Sequence, residues 1–541
     1  MKICLQLTIS AILGLFSCGL SAQSLLSNVH VVDEIVNNVE AEWQQISSTT
    51  SISAPLVIAD LIGVNYTHAN TGTWSSFPDG SKKWVFNYNL EGAEAIGIYF
   101  ATLKIPEGAS LRIESDIDGI ILDEFNNEND GGYATRKIYG DQLIFTYEIN
   151  PGYIGKLYLH INKIARYVEG EYGFNSSDAC MVNVNCSEGN LYRKEQRSVV
   201  RIDVPTVDGL ISFTGTLVNN SSENCKPYIL TSNYDFLKEE NADLESFVFY
   251  FNYEVTDCND EADEPKLQSM VGCQYVASSS DLEDGNSLKS DFCLLELNES
   301  IPEEFNAYFA GWSINNVVSN EGVVIHHPVG DVKKISTYTD ALQSVSYAEF
   351  DPETLNEGDF HWKLKFSNTA NGLGMVQPGS AGAPLFDNDG YLIGTLSGSE
   401  ANCFLIDESV YFGKMAQHWS SNGSQDNRQL KTWLDPENLG IDKLEGREAN
   451  CLFGVGVTET NNYAFEIIPN PASDQIKINV ADASKDVSIT IYNYLGQSIY
   501  NSSNTAQESY FVNMSKYQSG VYFVHLTIQG KTSVQKLILS H

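Results

Sequence analysis

Gly379-Ser380-Ala381-Gly382-Ala383-Pro384-Leu385 is the stretch from which the rest of this chain can be read. Two glycines three positions apart and a closing proline suit a tight turn, because glycine adopts backbone conformations that other residues avoid and proline cannot continue a helix. The stretch that follows, Leu385-Phe386-Asp387-Asn388-Asp389-Gly390-Tyr391-Leu392-Ile393-Gly394-Thr395-Leu396-Ser397-Gly398, runs strand, Asn/Asp/Gly turn, strand. That is a hairpin with its own turn chemistry. Standing alone, the heptapeptide reads as an ordinary Gly/Ala turn between strands. The remainder of the chain gives it a more specific meaning.

At roughly 150 residues per domain, a chain of 541 residues holds three or four domains. With 28 Tyr, 25 Phe and 41 Gly, and with short Val/Ile/Tyr/Thr runs between turn clusters, it reads as mainly β. A formal charge of −38 excludes nucleic acid as a partner, since phosphate would be repelled over most of the surface. Residues 1–22 carry one early lysine, Lys2, an apolar run from Ile3 to Leu20, and Ser21-Ala22-Gln23 as a small-residue cleavage site. That pattern predicts a signal peptide. Cys18 follows Leu15-Phe16-Ser17, a lipobox-like order spoiled by the bulky Phe16. No later stretch is long and apolar enough to cross a bilayer, so no integral membrane segment is expected in the mature chain. Ten cysteines less Cys4 and Cys18 leave eight in an exported context, where disulfides are expected.

Residues 24–170 are expected to form an antiparallel β-sandwich. Its strands are read at Trp84–Tyr88, Ala95–Phe100, Leu111–Ile113, Leu143–Tyr147 and Lys156–Ile161, with turns at Pro106-Glu107-Gly108, Asp118-Gly119, Asp130-Gly131-Gly132 and Gly140-Asp141. The acidic turn from Asn126 to Asp130 lacks the ordered Asp spacing of a calcium loop and reads as a solvated turn. No Cys/His spacing suggests a metal site, and no cofactor is implied.

Between residues 171 and 450 a set of motifs appears in order. It begins with Cys180 and Cys186, Thr214-Gly215-Thr216-Leu217 and Tyr228-Ile229-Leu230-Thr231-Ser232-Asn233-Tyr234. It continues through Ser290-Asp291-Phe292-Cys293, Ala310-Gly311-Trp312, Ile325-His326-His327-Pro328-Val329-Gly330-Asp331 and His361-Trp362-Lys363-Leu364 to the glycine turn. This region resembles lysyl-endopeptidase-type, trypsin-like serine proteases, which implies a double β-barrel. The region before it resembles the propeptide-like sandwich of their precursors.

In that family a G-x-S-G-x-P turn presents the nucleophilic serine and aims the backbone N–H groups of the first glycine and of the serine at the oxyanion. The resemblance puts Gly379 and Ser380 before the nucleophile position, which is held by Ala381. It puts Tyr234 at the base position, within Leu230-Thr231-Ser232-Asn233-Tyr234-Asp235, and Asp291 at the carboxylate position. A methyl group cannot attack a carbonyl, and a phenol with a reference pKa near 10 is a poor base at neutral pH. Asp291 also reads as a polar residue satisfied by backbone donors at a strand start. Ser380 stands one position early in a turn whose successive residues point in different directions. His326 and His327 read as structural, since the family keeps this His-His-Pro segment beside its true base.

In the specificity pocket, Ser397 stands where the family has histidine, and Val410 where it has an acidic residue before Tyr411-Phe412-Gly413-Lys414; Asp407 lies three residues early. A lysyl ammonium would then be buried unpaired, which is costly. The resemblance implies disulfides Cys180–Cys403 and Cys186–Cys258. Cys225, Cys273, Cys293 and Cys451 remain, with three possible pairings.

After a linker at 451–463, residues 464–541 are expected to form a small β-sandwich, with strands at Gln475–Val480, Val487–Asn493, Gly520–Ile528 and Ser533–Leu539. Pro469-Asn470-Pro471, Tyr492-Asn493-Tyr494-Leu495-Gly496-Gln497, Ser519-Gly520-Val521-Tyr522 and Lys536-Leu537-Ile538-Leu539 resemble a type IX secretion system type A sorting domain. That resemblance implies a Bacteroidota source, the type IX machinery as a partner, and a secreted or surface destination. The function expected is that of a catalytically inactive serine protease homologue, binding an unknown protein or peptide ligand or acting as a scaffold. The alternative is an active trypsin-like endopeptidase with a non-standard catalytic set.

Overall fold

A computed structural model describes residues 56–123, 132–153, 155–168, 172–233, 243–258, 263–279, 290–346, 359–449, 465–480, 487–493, 498–504, 507, 509–528 and 531–540. The expected signal peptide, Cys18, the acidic turn at 126–130, Tyr234, Asp235, Cys451 and the linker lie outside them. The chain divides into two compact units, residues 1–451 and 452–541.

The chain is mainly β. In the N-terminal region one layer is built from antiparallel strands Val57–Thr67, Tyr158–Tyr167 and Ala95–Lys104, edged by two short strands. The other layer is five-stranded, with Gln142–Ile149 between Lys82–Asn89 and Ala109–Glu114. Alternation along Gln142–Ile149 sends Leu143, Phe145, Tyr147 and Ile149 inward, where they meet Ile96, Ile98 and Phe100 of the facing layer. The strand expected from Lys156 begins at Tyr158; just before it, Gly155 lies against Pro106, where a Cβ would approach to 2.1 Å.

Val57–Thr67 was not legible as a strand. It pairs with Tyr158–Tyr167 along most of its length and, at Val57 and Ala59, with Ile211 and Leu210 of the central region, so the two regions share one 12-stranded sheet. The rest of that sheet is a barrel: Val199–Pro205, Leu210–Val218, Tyr228–Thr231, Cys293–Leu297, Val248–Phe251, and Gln268–Val271 continuing into Cys273–Ser278. The two last-named segments are separated by Gly272, whose φ of +84° turns the corner. A ten-stranded sheet forms the second barrel around Leu385, Leu396, Val410 and Phe412. Its hairpin, Pro384–Asp387 with Leu392–Ser399, is the one read from the sequence.

The structure joins Cys180 to Cys403 and Cys186 to Cys258. Cys225 is disulfide-bonded too, with a partner outside the described residues, while Cys273 and Cys293 are free thiols buried in the first barrel.

The C-terminal unit has a three-stranded and a four-stranded sheet around Ile476, Ile478, Ile489, Val524 and Leu526. Strands Gln475–Val480, Val487–Asn493 and Gly520–Ile528 have the bounds read from the sequence, and the last runs from Lys531 to Leu539. Ser498–Asn504 escaped that reading because Ser and Asn make up five of its seven residues, and Ser509–Asn513 because it is only five residues long, with Tyr510 and Val512 alone turned inward. Among the described residues no helix is long and apolar enough to cross a membrane.

Candidate active site

The glycine turn sits between the barrels and is held from both sides. Gly379 has φ +94°, and a Cβ there would come within 2.9 Å of His327 O and 3.0 Å of Val329 N. Gly382 has φ +82° and would put a Cβ 2.1 Å from Thr231 Oγ1. Only glycine fits either place. Thr214, in the first barrel, donates its N–H to Ala381 O and its hydroxyl to Gly379 O, both at 3.0 Å. With those carbonyls occupied, the N–H groups of Gly379 and Ala381 donate to no acceptor among the described residues. The side chain at position 381 is a buried methyl packed into the first-barrel core.

Ser380 is the hydroxyl of the turn, and it faces inward. Ser336 Oγ donates to Met375 O (3.0 Å), so it accepts from His326 Nε2 at 3.1 Å. His326 Nδ1 is then the acceptor for Ser380 Oγ–H at 2.8 Å, and Ser380 Oγ accepts Gln377 N–H at 3.3 Å. Ser380 and His326 are both 0% exposed, and burial, with Lys334 adding to it, pushes the imidazole pKa down to about 3. His327, equally buried, hydrogen-bonds through Nδ1 to Asp331 O at 3.0 Å. Nothing in the sequence signals the Ser380–His326 contact, whose partners are 54 residues apart.

Asp291 is buried just before the first-barrel strand Cys293–Leu297 in a left-handed conformation, φ +56°, which Asp tolerates better than most residues. Its Oδ1 accepts Asn233 N–H at 2.8 Å, next to the Tyr234 position. Its carbonyl accepts from Thr395 Oγ1 at 3.0 Å, and that hydroxyl in turn accepts from His418 Nε2 at 3.0 Å. Ser397 Oγ is bonded by Gly413 N–H at 3.2 Å, Val410 is fully buried in the second-barrel core, and Asp407 is exposed. The structure therefore brings Gly379, Ser380, Ala381, Asp291 and Asn233 to one junction between the barrels. It turns the Val410 side chain into a core. No cluster of three or more metal-ligating side chains occurs among the described residues.

Residues 174–413 match the family model described as the lysyl endopeptidase C-terminal domain. Over these residues the chain is similar to the lysyl endopeptidase type. Residues 466–540 match the secretion system C-terminal sorting domain, which directs the protein through the type IX machinery to the cell surface or the extracellular space. Solved structures similar to the chain are trypsin-like serine proteases. A variant of the HtrA-type protease AlgW with a tripeptide is 15% identical; the match covers 42% of this chain and 60% of that one, with a TM-score of 0.27. The protease Anisep from Arthrobacter nicotinovorans is 12% identical over 41% of this chain and 91% of that one, TM-score 0.28. A scabies mite inactivated protease paralogue is 12% identical over 42% and 92%, TM-score 0.28.

Proposed function

We propose that this secreted, protease-like protein has no peptidase activity and that its central domain binds a protein or peptide ligand or serves as a scaffold. The observation that carries this reading is Ala381: the residue at the nucleophile position is a buried methyl, and the neighbouring hydroxyl, Ser380, is held inside the protein by His326 and Gln377 N–H. The free N–H groups of Gly379 and Ala381 support retained binding, since paired donors of this kind hold a carbonyl oxygen whether or not chemistry follows. Without nucleophile and base, what is left is an acceleration of roughly 10³–10⁴ over water, negligible for peptide hydrolysis.

The second reading, an active endopeptidase, rests on the Ser380–His326 hydrogen bond of 2.8 Å. A base whose pKa is pushed down to about 3 takes a serine proton poorly at neutral pH, and neither group is exposed to a substrate carbonyl. Treatment of the purified protein with a fluorophosphonate probe should give no labelled serine and no casein cleavage. Labelling at Ser380 would establish the second reading instead.

We also propose the domain plan: a signal peptide at 1–22, a propeptide-like sandwich at 24–170, the protease-like domain at 171–450, a linker at 451–463 and the sorting domain at 464–541, in a Bacteroidota-type cell. Deleting Phe465–His541 should leave the first membrane crossing intact and trap folded protein in the periplasm, as cell fractionation would show. Normal release of the truncated chain would make the C-terminal unit an adhesive or structural module.

A further inference from the structure

The N-terminal sandwich carries a cleft of about 330 Å³ that belongs to no part of the protease-like site. Its size is at the lower end for a small-molecule pocket, room for one or two sugar-sized rings. One wall is Trp74, whose indole is 42% exposed, although its Nε1 is fixed by a 3.0 Å hydrogen bond to His68 O. The ring meets Tyr147 edge to face at 5.8 Å and His68 at 6.3 Å. With its polar atom engaged and its edges braced, the indole has a face free for a ligand. Ile149 and Leu157 add apolar lining.

Polar groups share the same cleft. Lys82 and Lys156 line it, and neither forms an ion pair among the described residues, in a protein with 70 acidic and 32 basic side chains. The neighbouring Lys83, by contrast, is paired with Glu148 at 2.8 Å. The Ser76 hydroxyl is also in the lining, and His68 Nδ1 is buried without a hydrogen-bond partner.

We infer that this cleft binds a carboxylated sugar, the uronic acid unit of an acidic polysaccharide. The C–H face of the pyranose stacks on the Trp74 indole, the carboxylate meets the two unpaired ammonium groups, and a ring hydroxyl matches Ser76. An aromatic acid would satisfy the indole and the lysines but leave Ser76 unmatched, and a neutral sugar would leave the lysines unmatched. An acidic glycan is also a ligand that a secreted protein meets outside the cell.

Calorimetry and saturation-transfer NMR on the full-length protein, with glucuronate and galacturonate as probes, test this inference. Both uronates should bind roughly tenfold or more tightly than glucose and galactose, and added salt should weaken them. The double variant Lys82→Gln/Lys156→Gln should lose about tenfold in uronate affinity with an unchanged melting midpoint, since both side chains are exposed. Trp74→Leu should abolish binding of either uronate. Failure of the uronates to bind, equal binding of the neutral sugars, unchanged affinity in the double lysine variant, or tighter binding of benzoate than of glucuronate would each overturn the assignment.

Discussion

Acidification from pH 7 to pH 4.5 should unfold the first compact unit, without any change in ionic strength. His326, His361 and His418 are each 0% exposed, and burial pushes all three imidazoles down to about 3, with Lys334, Lys414 and His361 respectively adding to the effect. In the unfolded chain the same rings titrate near 6.5. The folded pKa lies below the unfolded one, so the folded state binds fewer protons in the interval between them. Stability is therefore full above about pH 6.5 and falls as the pH drops toward 3. Each histidine contributes a slope of about 1.4 kcal/mol per pH unit, and two units into that interval the three together cost about 8 kcal/mol. A domain holds only about 5–15 kcal/mol in all. Fluorescence-monitored denaturation at pH 7, 5.5 and 4.5 should show this loss, with uptake of at least three protons per molecule on unfolding near pH 5, His327 being pushed down by burial as well. An unfolding midpoint that stays constant from pH 7 to 4.5 would show that these rings are hydrated.

Asp203→Ala should be among the most damaging single substitutions in the protein. The Asp203 carboxylate receives Arg201 Nε at 2.8 Å and Nη2 at 2.6 Å, and both residues are buried. The third guanidinium nitrogen, Nη1, donates to Gly330 O at 2.7 Å, in the segment whose Val329 N–H holds Pro378 O beside the glycine turn. Tyr250 and Tyr253 present their rings to the cation at 5.0 and 5.2 Å. Ser212 Oγ at 3.1 Å and Tyr167 OH of the N-terminal sandwich at 3.4 Å complete the shell of the carboxylate. Removing one partner leaves a buried, uncompensated charge, at a cost of about 3–5 kcal/mol. Replacing both, with Arg201→Met and Asp203→Leu, should recover most of that loss, because the desolvation penalty goes with the pair. Urea denaturation of the two variants decides it, and a single-variant loss below about 1 kcal/mol would mean that water reaches the guanidinium. Nearby, Lys137 of the sandwich reaches Glu264 of the first barrel at 2.7 Å and lies 5.7 Å from the Tyr253 ring centre. Asp203→Ala should therefore loosen the sandwich as well as the barrel, seen as faster hydrogen exchange in the strand Val57–Thr67.

The amino-acid sequence by itself determined the elements whose signals are local. Alternation and turn residues marked the hairpin at Pro384–Asp387 and Leu392–Ser399, the longer central strands of the N-terminal sandwich, and three sorting-domain strands to the residue. Ordered short motifs marked Asp291 and the glycine turn, because a tight turn and a strand start each need particular residues at fixed offsets. Tertiary structure alone decided what those residues meet. The strand Val57–Thr67 is interrupted by Gly63 and a register shift before Tyr66, and it acquires its role only by pairing with segments about 100 and 150 residues away. Ser380 is a lone hydroxyl in the sequence; its inward direction is fixed by His326, delivered from another strand of the second barrel. The cleft under Trp74 draws Lys82, Tyr147 and Lys156 from separate segments, so no window of sequence contains it. The physical reason is common to all three. Strand and turn preferences are written in neighbouring residues, whereas side-chain direction, burial and the fate of a charge depend on which distant surfaces the folded chain brings together.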